Sequence, residues 1–395
     1  MTELPTPHSP LGASGAERWL ECAGSISLAP APEDVEDEDD DTFSGPGQAA
    51  HHLAEVCLNS GEDAWMHMGK EIPTDNAPIV VDIEMANGVQ PYLNFVRETY
   101  PDRNQGNHWV ERRFHCPSIH EFFYGTADDV YYWETERVLD VTDFKYGAGI
   151  VVEVPWNVQT MYYACGVLET LDLWDKVDKV RLRIVQPRAH HFDGPVRMWT
   201  VPVADLRKWM EEVLVPGMDR ALVSRDTKSG MHCRFCPVRS RACPQLMKDM
   251  KELEDMTNEA REGSAAKELT EAQLGHFMGL FNLAKIINKA AQKTAFNRLQ
   301  AGKKVPGFKL VNARSNRELK EGGEAAAIDK FGQLAYSAPM LLSPAQLEKL
   351  PGGTTFVERW AFKPNRGLTL TEDDDTRPAV NQDTKSLFTA KKGEK

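Results

Sequence analysis

Three consecutive stretches decide the fold: HWVERRFHC (residues 108–116), FYGTADDVYYW (123–133) and RVLDVTDFKYG (137–147). Each is rich in β-branched and aromatic residues, and short polar links separate them, so they read as a three-stranded meander. The next segment, WNVQTMYYACGVLETL (156–171), changes period: Val158, Met161, Tyr162, Cys165 and Leu168 recur at helical spacing. KVRLRIVQPR (179–188) returns to strand alternation, with Leu182 and Ile184 on one face and Arg181 and Arg183 on the other, and RMWTVPV (197–203) supplies a hairpin partner. Working outward, GQAAHHLAEVCLN predicts a helix over about 47–59, and a short helix carrying Trp19 and Leu20 ends near Cys22. A helix over about 203–224 and a cysteine cluster at 233–243 close this first unit. The order of elements predicts an α/β fold of the mixed-sheet, α+β kind.

The 395 residues suffice for one large or two ordinary domains, and 41% hydrophobic with 27% charged residues excludes wholesale disorder. No apolar run approaches the roughly 18 to 20 residues of a membrane span. The opening MTELPTPHSP has neither the basic nor the apolar region of a secretion signal, and the seven cysteines are an odd number. Together these predict a soluble protein of a reducing, cytoplasmic compartment, its thiols free, metal-bound or catalytic. The net charge of −13 is unevenly spread. Residues 33–41, EDVEDEDDD, hold eight acids and no base and read as a solvated loop, whereas residues 285–320 hold ten bases against one acid. Local patches, not totals, decide where a polyanion lands.

Asp143 and Lys145, two apart on one strand, point to the same face, and Asp128 can reach that face from an antiparallel neighbour. Two carboxylates beside a lysine form a site for a hard divalent cation and a polarised water, equipment suited to phosphodiester hydrolysis. The plainer reading of Asp-x-Lys is a solvated pair worth about 0 to 1 kcal/mol.

The company of these residues separates the two readings. Gly47-x-x-x-His51, Gly125-x-x-Asp128, Asp143-x-Lys145 and Gln159-x-x-x-Tyr163, in that order, resemble the motifs of RecB-type PD-(D/E)XK nucleases. The resemblance covers roughly residues 14–245 and implies a restriction-endonuclease-like core. It implies that His51, Asp128, Asp143 and the backbone carbonyl of Phe144 ligate Mg²⁺ or Mn²⁺, that Lys145 is the catalytic lysine, and that Gln159 and Tyr163 orient Lys145, the water or the DNA. Glu55, four residues after His51, is a supporting candidate. His51 rather than the adjacent His52 fits the family spacing, and alternation turns Asp129 away from Asp128 to a structural or solvent-facing position.

Cys233, Cys236 and Cys243 follow a C-x2-C-x6-C spacing in an Arg-rich loop, which argues for a metal. Zinc would need a fourth ligand, with His232 adjacent; a [4Fe–4S] cluster would need a fourth thiolate, with Cys22 the candidate. The arrangement is similar to the iron–sulfur subgroup that includes AddB nuclease domains and CRISPR-associated adaptation nucleases, where the cluster staples the two ends of the nuclease domain. Cys57, Cys116 and Cys165 sit at apolar positions and read as core.

Beyond the nuclease-like part (1–245), residues 246–363 read as a basic helical and α/β appendage and 364–395 as a flexible tail. In the appendage a long helix over about 271–300 carries an apolar face of Leu274, Phe277, Phe281, Ala284, Ile287 and Ala291 beside Lys285, Lys289 and Lys293. With Lys303, Lys304, Arg314 and Arg317 these lysines are expected to track a phosphate backbone without reading sequence. PGFKLVNARSNR is similar to a segment of a phage- and prophage-encoded subgroup. Trp19, Trp109, Trp133, Trp156 and Trp360 are candidates for stacking bases, against the commoner core role. The resemblance thus implies a metal-dependent DNA exonuclease acting on linear single- or double-stranded DNA, feeding a single-strand annealing recombinase or single-strand-binding protein in the host cytoplasm. Its rival is a DNA-binding module that keeps the fold and the iron–sulfur or zinc centre without catalysis.

Overall fold

The computed structural model describes residues 9–29, 41–75, 77–100, 107–239, 243–262 and 270–309. The chain divides into two units, 1–311 and 312–395, the second lying wholly outside the described residues. In chain order the helices are α1 (Ala16–Glu21), α2 (Gly24–Ser27), α3 (Asp41–Ser60), α4 (Ile83–Thr99), α5 (Val158–Thr170), α6 (Val203–Trp209), α7 (Val215–Val223), α8 (Pro244–Glu262) and α9 (Glu271–Gln300), with a π-helical turn joining α6 to α7. The strands are β1 (Glu71–Ile72), β2 (Ile79–Val80), β3 (His108–His115), β4 (Tyr124–Trp133), β5 (Val138–Phe144), β6 (Lys179–Val185) and β7 (Val196–Pro202).

The expected meander is present: β3, β4 and β5 pair antiparallel in sequence order. β6 joins β5 in parallel, and β7 pairs antiparallel with β6, giving a five-stranded mixed sheet in the order β3-β4-β5-β6-β7. A parallel pair requires a crossover, and α5 supplies it. Asn157 starts that helix by accepting from the Thr160 amide. Gly166 lets α5 approach β3, since a Cβ there would meet the Phe114 ring at 2.2 Å.

Strand alternation divides the core between the two faces of the sheet. On one, Phe114, Val130, Leu139, Val141, Leu182 and Ile184 pack with Trp19, Met161, Tyr162, Leu206 and Met218. On the other, Tyr131, Phe144 and Val185 pack with Leu53, Val89, Tyr92 and Leu93 of α3 and α4. Each large side chain so buried contributes about 1.5 to 3 kcal/mol. The second core also holds a charge: Asp140, fully buried, accepts from Arg181, Arg183, Tyr100 and the Trp133 indole.

Helix α4 is an element the sequence reading does not supply, as is α8. Helix α9 spans the expected residues and begins with a capping box between Thr270 and Gln273. Along its apolar face Phe277, Ala284 and Ile287 are half-buried while Leu274, Phe281 and Ala291 are exposed, and the buried side chains of α9 are Leu280 and Ala290. The acidic loop expected at 33–41 falls outside the described residues apart from Asp41, where α3 starts, and the α/β segment expected up to 363 lies almost wholly beyond them. Among the described residues no helix is long and apolar enough to cross a membrane.

Candidate active site

β4 and β5 bring Asp128 and Asp143 together. The last paired rung is Asp129 with Thr142, so the next rung sets Asp128 across from Asp143. Both are nearly inaccessible to solvent. The Phe144 amide donates to Asp128 Oδ2 at 2.7 Å, tying one carboxylate to the strand that carries the other. Lys145 Nζ lies 3.0 Å from Asp143 Oδ2 and 2.7 Å from Gln159 Oε1, and Gln159 Nε2 donates to the Tyr163 hydroxyl at 2.9 Å. The first two turns of α5 thus hold the lysine against Asp143.

His51 arrives from α3, its ring resting against Phe144 at a centroid distance of 5.2 Å. Its Nδ1 lies 3.5 Å from Asp128 Oδ2 and 4.0 Å from Glu111 Oε1. Among the described residues, His51, Glu111 and Asp128 are the set whose donor atoms all lie within 4.8 Å of one another, spacing that can hold a metal ion. His52 is turned away and pairs with Glu55 at 3.6 Å, so the Glu55 contact goes to His52 rather than His51. Glu55 still acts on the site through its charge, which raises the Glu111 pKa. Asp129 is buried against His108 at 2.6 Å, the structural of its two expected positions.

Glu111 is the residue the sequence reading missed. It lies on β3 between the Val110–Asp129 and Arg112–Ala127 rungs, on the rung of Asp128, and its backbone φ of +48° interrupts the pairing there. A non-glycine residue rarely adopts that conformation, and such strain concentrates where function requires a side chain to be aimed. The available signal was the hairpin register, which puts Glu111 across from Asp128.

Protonation follows from this crowding. Burial pushes Glu111 up to about 8, with the Asp128 charge adding to it. Burial also raises Asp143 to about 6, opposed by Lys145 and reinforced by Asp128. Burial lowers His51, but the carboxylates of Asp128, Glu111 and Asp143 outweigh it and hold His51 at about 9. Asp128 is raised by burial yet ends below the usual range because His51 and the Phe144 amide stabilise its charge. Near neutral pH Glu111 and His51 therefore retain protons that a divalent cation would replace, while Asp143 is mostly ionised and its Oδ2 is buried without a hydrogen bond of good geometry. This donor set of one imidazole and hard carboxylate oxygens fits a metal ion.

The four cysteines singled out from the sequence are all buried. Cys233, Cys236 and Cys243 share a small core with Val238 and Leu246, against which Leu28 and Ile287 pack. Cys22 is brought to them by stitching between residues 20–27 and 220–228: Gly24 N donates to Asp226 O, Ser27 to Ser224 O and Arg220 to Leu20 O. Gly24 is required, since a Cβ there would lie 2.9 Å from Asp226 O. His232 hydrogen-bonds Cys22 and Cys233, which raise it to about 10. The Lys228 amide donates to Cys22 Sγ at 3.5 Å, and Arg18 hydrogen-bonds Cys236. Cations and donors aimed at sulfur are what thiolate ligands call for. Cys57, Cys116 and Cys165 lie buried in the two main cores, as expected.

Of the basic residues expected to meet DNA, Lys285, Lys289, Lys303 and Lys304 are exposed, Lys293 is half-buried, and Arg314 and Arg317 lie outside the described residues.

Fold and site define a mixed-sheet α/β protein with a histidine–carboxylate group whose spacing could hold a metal ion. The chain belongs to a family described as a protein of unknown function (DUF2800), matched over residues 8–378, a span that contains every site residue named above.

Proposed function

We propose that this protein is a metal-dependent DNA nuclease of the PD-(D/E)XK type, acting as an exonuclease on DNA ends. The observation that carries the reading is the grouping of Asp128, Asp143, Lys145, Gln159, His51 and Glu111 at one sheet end, with Lys145 wedged between Asp143 and Gln159. His51, Asp128 and Glu111 would hold Mg²⁺ or Mn²⁺, with Asp143 and the Phe144 carbonyl as further donors. A bound ion supplies charge neutralisation at the scissile phosphate and acidifies a water. Lys145, fixed by Gln159 and Asp143, orients that water or offsets charge in the pentavalent transition state. Tyr163 and Gln159 hold the lysine so that little reorganisation accompanies reaction.

Cys22, Cys233, Cys236 and Cys243 would bind a [4Fe–4S] cluster that staples the N-terminal segment to the region after α7. Lys285, Lys289, Lys303 and Lys304 would contact the phosphate backbone, and the products would pass to a single-strand annealing recombinase or a single-strand-binding protein.

The test is cleavage of end-labelled linear and closed circular DNA by anaerobically purified protein in Mg²⁺, Mn²⁺ or EDTA. Metal-dependent loss of the linear substrate alone supports the exonuclease. Salt-sensitive binding of both substrates without turnover in any metal overturns it in favour of a DNA-binding module.

A further inference from the structure

Among the five tryptophans singled out above, Trp19 is buried, Trp109 and Trp133 are half-buried, and Trp360 lies outside the described residues. Trp156 differs: it is 64% exposed, and its backbone φ is +59°. A large aromatic residue rarely takes that left-handed conformation, so its placement is imposed by what surrounds it. The surroundings are well fixed. Gln186, buried beneath the loop, donates to Gly147 O and Ile150 O and accepts from the Val152 amide. Buried Arg197 donates to Val152 O and to Gln186 Oε1, while His191 lies 3.3 Å from Glu153. Asn157 then caps α5.

On this support Trp156 leans one face on Trp199, at a centroid distance of 4.8 Å and 49° between planes. Its remaining surface is open to solvent. Ile150 and Val151 earlier in the same loop are exposed, and Phe192, stacked on His191, is 66% exposed on the β6–β7 turn. Aromatic rings held rigidly in water lose the stabilisation that burial would give, and such patches mark binding sites.

Position selects the occupant. Trp156 precedes Gln159 by three residues, so their Cα atoms lie at most ~11 Å apart, and Gln159 holds the Lys145 ammonium. A strand whose phosphate reaches Asp143 and Lys145 therefore has Trp156 within the reach of about a nucleotide or two. Every nucleobase has a π-face that such a ring can meet; within a duplex both faces are already stacked, and a blunt end leaves open only the outer face of its terminal pair.

We propose that Trp156 is a stacking platform for an unpaired nucleobase of the strand in the Asp143–Lys145 site, favouring single-stranded or frayed ends over blunt, fully paired ones. This inference rests on the nuclease reading. Full-length protein purified without air, with Trp156→Leu and Trp156→Phe variants, is titrated in EDTA against fluorescein-labelled dT12 and a blunt duplex. Cleavage of both is then followed in Mn²⁺. Trp156→Leu is expected to weaken dT12 binding by about 5- to 150-fold, the loss of one base–aromatic stack. The blunt duplex and the thermal midpoint change little, and Trp156→Phe retains most of the affinity. One abasic position in the oligonucleotide is expected to weaken binding by the wild type and not by Trp156→Leu. Equal binding and cleavage of dT12 by wild type and Trp156→Leu overturns the inference and leaves the nuclease reading standing. A uniform loss on both substrates with a lowered midpoint assigns Trp156 to packing on Trp199 and also overturns it. A wild type that neither binds nor cuts DNA in any metal overturns the nuclease reading itself.

Discussion

Gln159 accepts from the Lys145 ammonium at 2.7 Å while its own amide nitrogen donates to the Tyr163 hydroxyl at 2.9 Å. The lysine is therefore aimed by a helix rather than by its own strand, whose Asp143 supplies the opposing contact. Replacing Gln159 by Leu should leave the fold intact and lower the single-turnover cleavage rate by about 10- to 100-fold with little change in DNA affinity. Tyr163→Phe, which only loosens Gln159, should cost less than tenfold. An unchanged rate in Gln159→Leu would show that Lys145 does not depend on this contact.

Glu111 completes the donor set with His51 and Asp128. Glu111→Gln should weaken Mn²⁺ binding about 10- to 100-fold in calorimetric titration, the size of loss expected when a metal site loses one supporting group. Glu111, at about 8, is already largely protonated at neutral pH, so Gln mimics its metal-free state and the metal-free variant should unfold at about the same temperature as wild type. Weaker metal binding with retained stability separates a ligand from a structural acid.

The pH dependence has a definite sign. His51 at about 9 and Glu111 at about 8 both sit above their ordinary values. A group whose folded pKa is raised contributes stability that is fully present below its unfolded value and lost as pH rises through the folded one. Metal-free protein should therefore lose stability as pH rises from about 4.5, Glu111's ordinary value, to about 9, relative to a His51→Ala, Glu111→Gln double variant. Mn²⁺ displaces these protons, so its affinity should rise over the same window. Thermal midpoints with EDTA and with Mn²⁺ across that range measure both effects, and a Mn²⁺ affinity independent of pH would contradict the assignment.

Cys22 stands more than 200 residues from Cys233 in sequence, and His232 hydrogen-bonds both. Cys22→Ser should lose the visible absorbance and iron content of anaerobically purified protein and destabilise it. Cys57→Ala, at a core position outside this group, should keep the iron. Stoichiometric zinc in colourless wild-type protein would replace the cluster with a zinc staple.

Asp140 is fully buried between Arg181 and Arg183 on the α4 side of the sheet. Asp140→Asn leaves buried guanidinium charge short of its partner and should cost about 3 to 5 kcal/mol in urea unfolding. A loss below 1 kcal/mol would mean that water reaches the arginines.

The strands and α5 were legible because their periods are unambiguous: alternation through Leu139 and Val141, helical spacing through Met161, Cys165 and Leu168. The carboxylates followed from the same alternation, which turns Asp128 and Asp143 to one face and Asp129 to His108. Glu111 was not legible, because its role depends on cross-strand register and on a left-handed backbone that no local pattern in VERR announces. Helix α4 was missed for a related reason: Gly88 and Pro91 interrupt a run whose apolar residues are sorted only by packing on Phe144 and Tyr131. On α9 periodicity reports an apolar face but not whether a partner covers it, and Leu274 and Phe281 remain exposed.

The central claim is that Asp143 and Lys145 cut phosphodiester bonds with a metal bound beside them. The most direct measurement is single-turnover cleavage of end-labelled linear DNA in Mn²⁺ by wild type, Asp143→Asn and Lys145→Ala, each verified as folded and loaded with iron. The account predicts metal-dependent cleavage by wild type and a loss of at least about 1,000-fold in both variants. Cleavage by either variant at the wild-type rate, or none by any of the three, would contradict it.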